Sequence, residues 1–179
     1  MQHKIISNNI FYHAALSHLL SNVSTELPAC VIDLDDFKNL HDLKKIIIEI
    51  TKTTDFNFYL TGGVSINAKV LTPYISFTKK DPVMLFEKTF ASQRGKSGLS
   101  LLTIIDKKIL LQKLTVKEKL LTQQLAKESN LEKISQGMQL NVKTLYARAS
   151  GIANKLNLDN LHQYRLFTHN EVLDFSKIL

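Results

Sequence analysis

One predicted helix near the C-terminus combines an apolar face with a basic face. Its apolar residues recur every three or four positions and therefore share one side of the helix: Leu145, Ala149, Ile152 and Leu156. The opposite side carries Lys143, Tyr146, Ala147 and Arg148. A helix with such an exposed basic side has the width to enter the major groove of DNA, where residues near its N-terminus reach base edges.

We expect the side chains of this region to divide between base contacts and phosphate contacts. The residues expected to face the bases are Lys143, Tyr146 and Ala147. The residues expected to contact phosphates, which fix register without reading sequence, are Thr144, Arg148, Lys155 and, from the preceding helix, Lys133. Asn141 is expected to cap the N-terminus of this helix, and we count it among the predicted DNA-binding residues. The simpler alternative is a helical packing domain whose basic face is only solvated.

The segment around this helix resembles the helix-turn-helix domain of the NarL/LuxR-type bacterial transcription regulators. The resemblance runs without gaps from Leu114 to Arg165. It is carried by a capping box at Thr115 and Glu118, by Leu125-Ala126 and Ile134-Ser135, by Asn141-x-Lys143-Thr144-Leu145, and by Ile152-x-x-Lys155-Leu156. The sequence departs from the family where Pro, Gly, His and Gly are replaced by Val116, Gln139, Arg148 and Asn157.

The resemblance implies that residues 114–179 form an all-α, four-helix DNA-binding domain with a C-terminal extension. In this family the fourth helix, here Asn160–Phe167, joins two domains on DNA, so a dimer contacts two half-sites. The extension after Asn170 adds apolar residues that either cap the core or form a partner surface: Val172, Leu173, Phe175, Ile178 and Leu179.

The first half of the chain alternates strand patterns with helix patterns. Short apolar runs predict strands at Lys4–Ser7, Ala29–Leu34, Phe56–Thr61 and Tyr74–Thr78. Apolar residues at helical spacing predict helices at Phe11–Leu20 and Leu40–Ile50, and from Pro82 to Phe90. Strands that alternate with helices predict a parallel sheet with helices on its faces, so this half belongs to the α/β class.

This half resembles, more faintly, the receiver domain of response regulators. Asp33 ends a buried strand, where a receiver has its phosphoacceptor. Thr61 ends the next strand, where receivers carry a hydroxyl group, and Lys79 follows the last strand, where they carry a lysine. Ser7 and Asn8, however, stand where receivers hold metal-binding acids, and 26 residues separate Ser7 from Asp33, too few for a second strand and its helix. We therefore expect a truncated domain with a vestigial phosphoacceptor site, used for dimerisation or partner contact.

The acidic residues after the second strand, Asp33, Asp35 and Asp36, leave two interpretations open. They could bind a cation, or Asp35 or Asp36 could cap the helix predicted at residues 37–52. We favour the cap and expect no metal site.

Composition and charge set limits on the function. The 179 residues include 23 basic and 16 acidic ones, and the net charge of +7 favours an anionic partner such as nucleic acid. Cys30 is the single cysteine, which excludes a disulfide framework. The longest uncharged run, residues 5–25, is too polar to span a membrane. A stretch with two glycines and no large apolar residue, Ser92–Gly98, indicates a linker at residues 93–113 between domains 1–92 and 114–179.

These features predict a cytoplasmic bacterial transcription regulator that binds double-stranded DNA as a homodimer, performs no catalysis and needs no cofactor. Two alternatives keep the same folds. The first is a response regulator that is switched by phosphorylation of Asp33. The second is an auxiliary regulator that binds DNA only as a heterodimer with another transcription regulator.

Overall fold

The computed structural model describes residues 2–171, and the chain divides into two compact units, one ending at Ile105 and one beginning at Asp106. The first unit contains a four-stranded sheet in which all neighbouring strands are parallel and follow the order of the sequence. Its strands are β1 Lys4–Ile6, β2 Ala29–Asp33, β3 Asn57–Thr61 and β4 Ile75–Phe77. The predicted α/β class with a parallel sheet is confirmed for this half of the chain.

A helix follows each strand, because a parallel neighbour can be reached only by a long crossover connection. These helices are α1 Ile10–Ser21, α2 Leu40–Thr51, α3 Ile66–Val70 and α4 Val83–Ala91. Short 3₁₀ turns at Leu34–Asp36 and Thr72–Tyr74 follow β2 and precede β4. Because the strand order is β1-β2-β3-β4, β1 has a single neighbour, β2, with which it pairs through Ile5 and Val31, and it therefore lies at an edge of the sheet.

Aromatic side chains fill the space between the sheet and two of its helices. Tyr59 and Phe77, on neighbouring strands, meet Phe90 of α4 edge to face, with ring centroids 5.0 and 5.4 Å apart. Such pairs add about 0.5–1.5 kcal/mol each to the burial of the rings. Leu16 and Leu20 of α1 pack into the same cluster. Helices α1 and α4 therefore cover the same face of the sheet.

The glycine-containing stretch Ser92–Gly98, which follows α4, lies against the sheet. Lys96 forms an antiparallel bridge with Phe58 of β3, with N···O distances of 2.8 and 2.9 Å. A Cβ atom at Gly95 would lie 2.7 Å from the Cβ atom of Asn57, closer than real contacts allow. Glycine at this position therefore permits a close approach of two backbone segments.

The described part of the second unit, residues 106–171, consists of helices and their connections. Helix α5, Gly98–Ile109, occupies most of the segment 93–113, and the boundary between the two units lies within that segment. Between Asp106 and Glu171 the structure contains no strand, and the following helices are α6 Val116–Lys127, α7 Leu131–Gly137, α8 Val142–Lys155 and α9 Leu161–Glu171. The predicted change from an α/β half to a helical half is confirmed.

A buried hydroxyl pair joins two helices of this unit. Thr122 Oγ1 of α6 lies 2.6 Å from the hydroxyl oxygen of Tyr164 on α9, and burial raises the pKa of the Tyr164 phenol. Leu121 and Leu125 of α6 and Phe167 of α9 are buried as well. The apolar tail beyond Glu171, expected either to cap this core or to form a partner surface, lies outside the described residues.

No helix within residues 2–171 is long and apolar enough to cross a membrane. Cys30 lies buried in β2, and burial raises the pKa of its thiol to about 12, so the thiol stays protonated at neutral pH.

Lys108, near the end of α5, is 4% exposed, and its ammonium group has no hydrogen-bond partner in the described residues. Burial, with a smaller contribution from the charge of Lys113, lowers its pKa from 10.5 to about 8. The cost of burying this charge is therefore fully present below pH 8 and disappears as the pH rises to 10.5, where the unfolded chain also loses the proton.

We predict that Lys108→Met raises the free energy of unfolding near neutral pH by about 1–3 kcal/mol, because it removes an unpaired buried charge. The gain should shrink as the pH rises above about 8. Urea denaturation of both proteins at neutral and alkaline pH measures the difference. Equal stability at neutral pH, or a gain that does not change with pH, would contradict this account of Lys108.

Candidate functional site

Helix α8 exposes the side on which the sequence places the DNA contacts. Its buried side consists of Leu145, Ala149, Ile152 and Ala153. The exposed residues in its first two turns are Val142, Lys143, Thr144, Tyr146, Ala147 and Arg148. Asn141 acts as the predicted N-cap, because its Oδ1 atom accepts the N–H of Thr144 at 3.1 Å. The basic side of α8 is therefore exposed, while the burial of its apolar side holds the helix in place.

A tight left-handed turn connects α7 to α8. Gln139 has a φ of 51°. The N–H of Leu140 donates to the carbonyl oxygen of Ser135 at 2.9 Å, and the N–H of Gln139 donates to the carbonyl oxygen of Gln136 at 3.1 Å. These two bonds form a Schellman motif, which ends a helix and reverses the chain. Asn157, after α8, has a φ of 61°. Gln139 and Asn157 therefore both adopt the left-handed backbone conformation that favours Gly.

Two of the expected phosphate contacts have acidic partners. Lys155 Nζ donates to Glu118 Oε1 at 2.6 Å, and Lys133 Nζ lies 3.8 Å from Glu128 Oε2. The Lys155 contact, followed by hydrogen bonds from Thr115, holds the pKa of Glu118 below its usual value. Glu118 also completes the predicted capping box with Thr115. Lys155 thus ties α8 to the start of α6, a role that the sequence does not reveal.

The other two basic side chains of α8 have no ion-pair partner among the described residues. Within residues 2–171, neither Lys143 nor Arg148 forms an ion pair, and both side chains are exposed. They are therefore available to an anionic ligand without first breaking an internal contact.

The N-terminal candidates meet at the carboxyl ends of the parallel strands. Asp33 is 1% exposed, and its Oδ2 atom accepts hydrogen bonds from Lys79 Nζ at 2.7 Å and Ser7 Oγ at 2.9 Å. Its Oδ1 atom accepts the N–H of Asp35 at 3.2 Å. Burial alone would lower the pKa of Lys79, but the carboxylates of Asp33 and Asp35 outweigh burial and raise it. Three donors therefore hold the Asp33 carboxylate.

A tyrosine that the sequence does not single out completes this site. The hydroxyl oxygen of Tyr12 lies 2.8 Å from Thr61 Oγ1, and Lys79 Nζ lies over the Tyr12 ring, 5.5 Å from its centroid. Burial raises the pKa of Tyr12 to about 12. No sequence signal marks Tyr12, because it stands within the apolar pattern of α1. We refer to these residues as the strand-end cluster: Ser7, Tyr12, Asp33, Thr61 and Lys79.

Asp35 binds the loop that follows β3. Its Oδ1 atom accepts the N–H groups of Val64 at 3.2 Å and Ser65 at 2.8 Å, with a longer bond of 3.4 Å from Gly63. Burial would raise the pKa of Asp35, but these hydrogen bonds outweigh it and lower the pKa. Asp35 therefore joins the turn that follows β2 to the loop that follows β3.

The predicted helix cap by Asp35 or Asp36 is wrong. Asp36 Oδ2 accepts the N–H of Asn8 at 2.6 Å, while α2 is capped by Asn39, whose Oδ1 atom accepts the N–H of Asp42 at 2.8 Å. The acidic residues lie one turn too early to reach the free N–H groups of α2, because the 3₁₀ turn at Leu34–Asp36 intervenes. Among residues 2–171, no group of three or more His, Cys, Asp or Glu side chains is arranged to hold a metal ion.

No protein-family model matches the chain, and a search of curated proteins finds no match for it. The resemblances to a NarL/LuxR-type domain and to receiver domains therefore stay predictions from the sequence.

We predict that Lys79→Met lowers the free energy of unfolding by about 1–3 kcal/mol, because it leaves the buried Asp33 carboxylate without its counter-ion. Since Lys79 is 33% exposed, solvent screening keeps this loss below that of a fully buried pair. Asp33→Asn in the same chain should recover part of the loss, because a neutral amide needs no counter-ion. Urea unfolding of the two single variants and the double variant measures the coupling. Strictly additive losses would show that the pair contributes nothing.

Proposed function

We propose that this chain is a DNA-binding transcription regulator that reads DNA with α8. One observation carries the proposal: Lys143, Tyr146, Ala147 and Arg148 share the exposed side of a helix whose opposite side is packed into a helical core. The order of α7, the left-handed turn at Gln139 and α8 suits a helix-turn-helix, in which the second helix enters the major groove.

The position and contacts of each side chain support an assignment to base contacts, phosphate contacts or a positioning role. Lys143, Tyr146 and Ala147, near the N-terminus of α8, are assigned to base edges. Phosphate contacts are assigned to Thr144, Arg148 and Lys133. Lys155 is assigned a positioning role, because its ion pair with Glu118 fixes α8 against α6. Asn141 acts through its cap, which orders the first turn of the helix.

The first unit offers a surface for self-association. Ile10 and Phe11 open α1 with 80% and 88% exposure, and Val83 and Met84 open α4 and are more than half exposed. Both helices start at the carboxyl ends of strands and cover one face of the sheet, so these residues lie at the same end of the unit. Exposed apolar residues grouped in this way mark interaction surfaces. By contrast, α9 exposes one large apolar side chain in the described residues, Leu166.

The strand-end cluster supports a structural role for the first unit in place of a phosphorylation switch. Asp33 is buried, and its carboxylate accepts hydrogen bonds from Lys79, Ser7 and the N–H of Asp35. A nucleophile must be free and accessible to attack a phosphodonor. We therefore propose a regulator that acts in the cytoplasm as a homodimer, through the first unit, with no catalysis and no cofactor.

We predict that Lys143→Ala with Arg148→Ala weakens specific DNA binding by at least about 10-fold, since the Lys143 contact to a base edge is worth about 1–3 kcal/mol and the loss of the Arg148 phosphate contact adds to it. Selection of bound sequences from random duplex DNA with purified protein supplies the target, and fluorescence anisotropy measures affinity. The matched control, Lys45→Ala with Lys52→Ala, removes the same charge from α2 and its C-cap and should bind normally. Equal affinity of both double variants, or selection of no sequence, would refute the assignment.

We predict that incubation with acetyl phosphate and Mg²⁺ adds no phosphoryl group to the protein, because three donors already hold the buried Asp33 carboxylate. Intact-protein mass spectrometry measures the outcome. A mass increase of one phosphoryl group that disappears in Asp33→Ala would establish the phosphorylation switch instead.

A further inference from the structure

A groove with a volume of about 600 Å³ lies in the second unit, beside the proposed DNA-reading face. Parts of α6, of the turn before α8 and of α8 line it. Its apolar lining residues are Leu120, Leu121, Met138 and Leu140, and its charged ones are Lys117, Glu118, Arg148 and Lys155. From Arg148 to Lys155 the groove follows α8 for two turns, or about 10 Å.

The charge around this groove is positive and partly uncompensated. Glu118 is the one acidic residue of the lining, and it is engaged by Lys155. Lys117 and Arg148 form no ion pair within residues 2–171. Free cations beside an apolar surface complement a ligand that carries both carboxylates and apolar side chains.

Gly151 keeps the wall of the groove open in the middle of α8. A Cβ atom at this position would meet no atom within 4 Å, so packing does not require glycine there. Glycine in a helix interior costs about 0.5–1 kcal/mol relative to alanine. Because Gly151 has no side chain, the helix backbone is accessible between Arg148 and Lys155, and an incoming chain can lie close to it there.

We propose that this groove binds a short acidic amphipathic helix of a partner protein. A small ligand is normally enclosed over most of its surface, whereas this groove is open to solvent along its side. An amphipathic helix lays apolar residues at i, i+3 and i+4 into such a groove. Its carboxylates then pair with Lys117 and Arg148, while its apolar face covers Leu120, Met138 and Leu140.

Binding of this helix has a consequence for DNA. Arg148 lines the groove and is also assigned to a DNA phosphate, so an acidic helix bound there removes one DNA contact and places negative charge beside the DNA. The partner helix therefore competes with DNA. This competition rests on the proposed function, whereas the binding of the helix does not.

The test uses the full chain and a fluorescently labelled synthetic peptide of about four helical turns, with Leu on one face and Glu and Ala elsewhere. The peptide should bind, and the same peptide with Lys in place of Glu should not. Gly151→Leu, which fills the groove, and Lys117→Glu, which reverses a cation, should each weaken binding by at least about 10-fold, or about 1.4 kcal/mol.

The matched control is Gly137→Leu on α7. Gly137 also has open space around its Cβ position, but it does not line the groove, so this variant should bind the peptide normally. Circular dichroism checks that all variants keep their helices. Absence of peptide binding, equal binding of the Lys peptide, or unchanged binding by Gly151→Leu would overturn the proposal.

A second measurement adds the peptide to the protein bound to its selected DNA, where release of the DNA is expected. DNA that stays bound while the peptide occupies the groove would refute the competition. If the protein binds no DNA at all, the proposed function fails, and the peptide titration with its variants still decides whether the groove binds an acidic helix.

Discussion

The burial of one side of α8 is the constraint on which the second unit depends. Leu145, Ala149 and Ile152 lie on one side of the helix and are withdrawn from water, which stabilises the fold in proportion to the apolar area removed. Because the same helical period governs both sides, this burial forces Lys143 and Arg148 outwards. The ion pair between Lys155 and Glu118 then fixes α8 against the start of α6. The packing of the core therefore determines which side chains of α8 are exposed at the candidate interface.

A comparable constraint shapes the first unit. Parallel strands bring their carboxyl ends to one edge of the sheet, so residues that follow different strands meet although they are far apart in sequence. Asp33 and Lys79 form an ion pair there, and the hydroxyl groups of Tyr12 and Thr61 share a hydrogen bond. A carboxylate buried in this way needs donors, and Ser7, Lys79 and the N–H of Asp35 supply them. The polar side chains of the strand-end cluster therefore satisfy one another. The exposed apolar residues at the starts of α1 and α4 lie near the same end of the unit.

Local features of this chain were predictable because short-range contacts decide them. The capping box at Thr115 and Glu118 and the N-cap at Asn141 are present as expected, since each involves a backbone group three residues away. The same reasoning failed for Asp35 and Asp36. Their carboxylates can bond to any nearby backbone donor, and the loop after β3 and the N–H of Asn8 lie closer than the start of α2. Glycine at position 95 likewise serves a close approach to Asn57 that no local pattern reveals.

By itself, the sequence determined the alternation of strands and helices, the change to an all-helical half and the apolar face of α8, because the periodicity of apolar residues follows directly from backbone geometry. The tertiary structure decided which charges remain available. Lys155 and Arg148 have similar positions in the sequence pattern, yet Lys155 is paired with Glu118, while Arg148 lies beside an apolar groove and forms no ion pair with any residue from 2 to 171. That difference depends on how α6 packs against α8, and residues distant in sequence meet only when their helices pack.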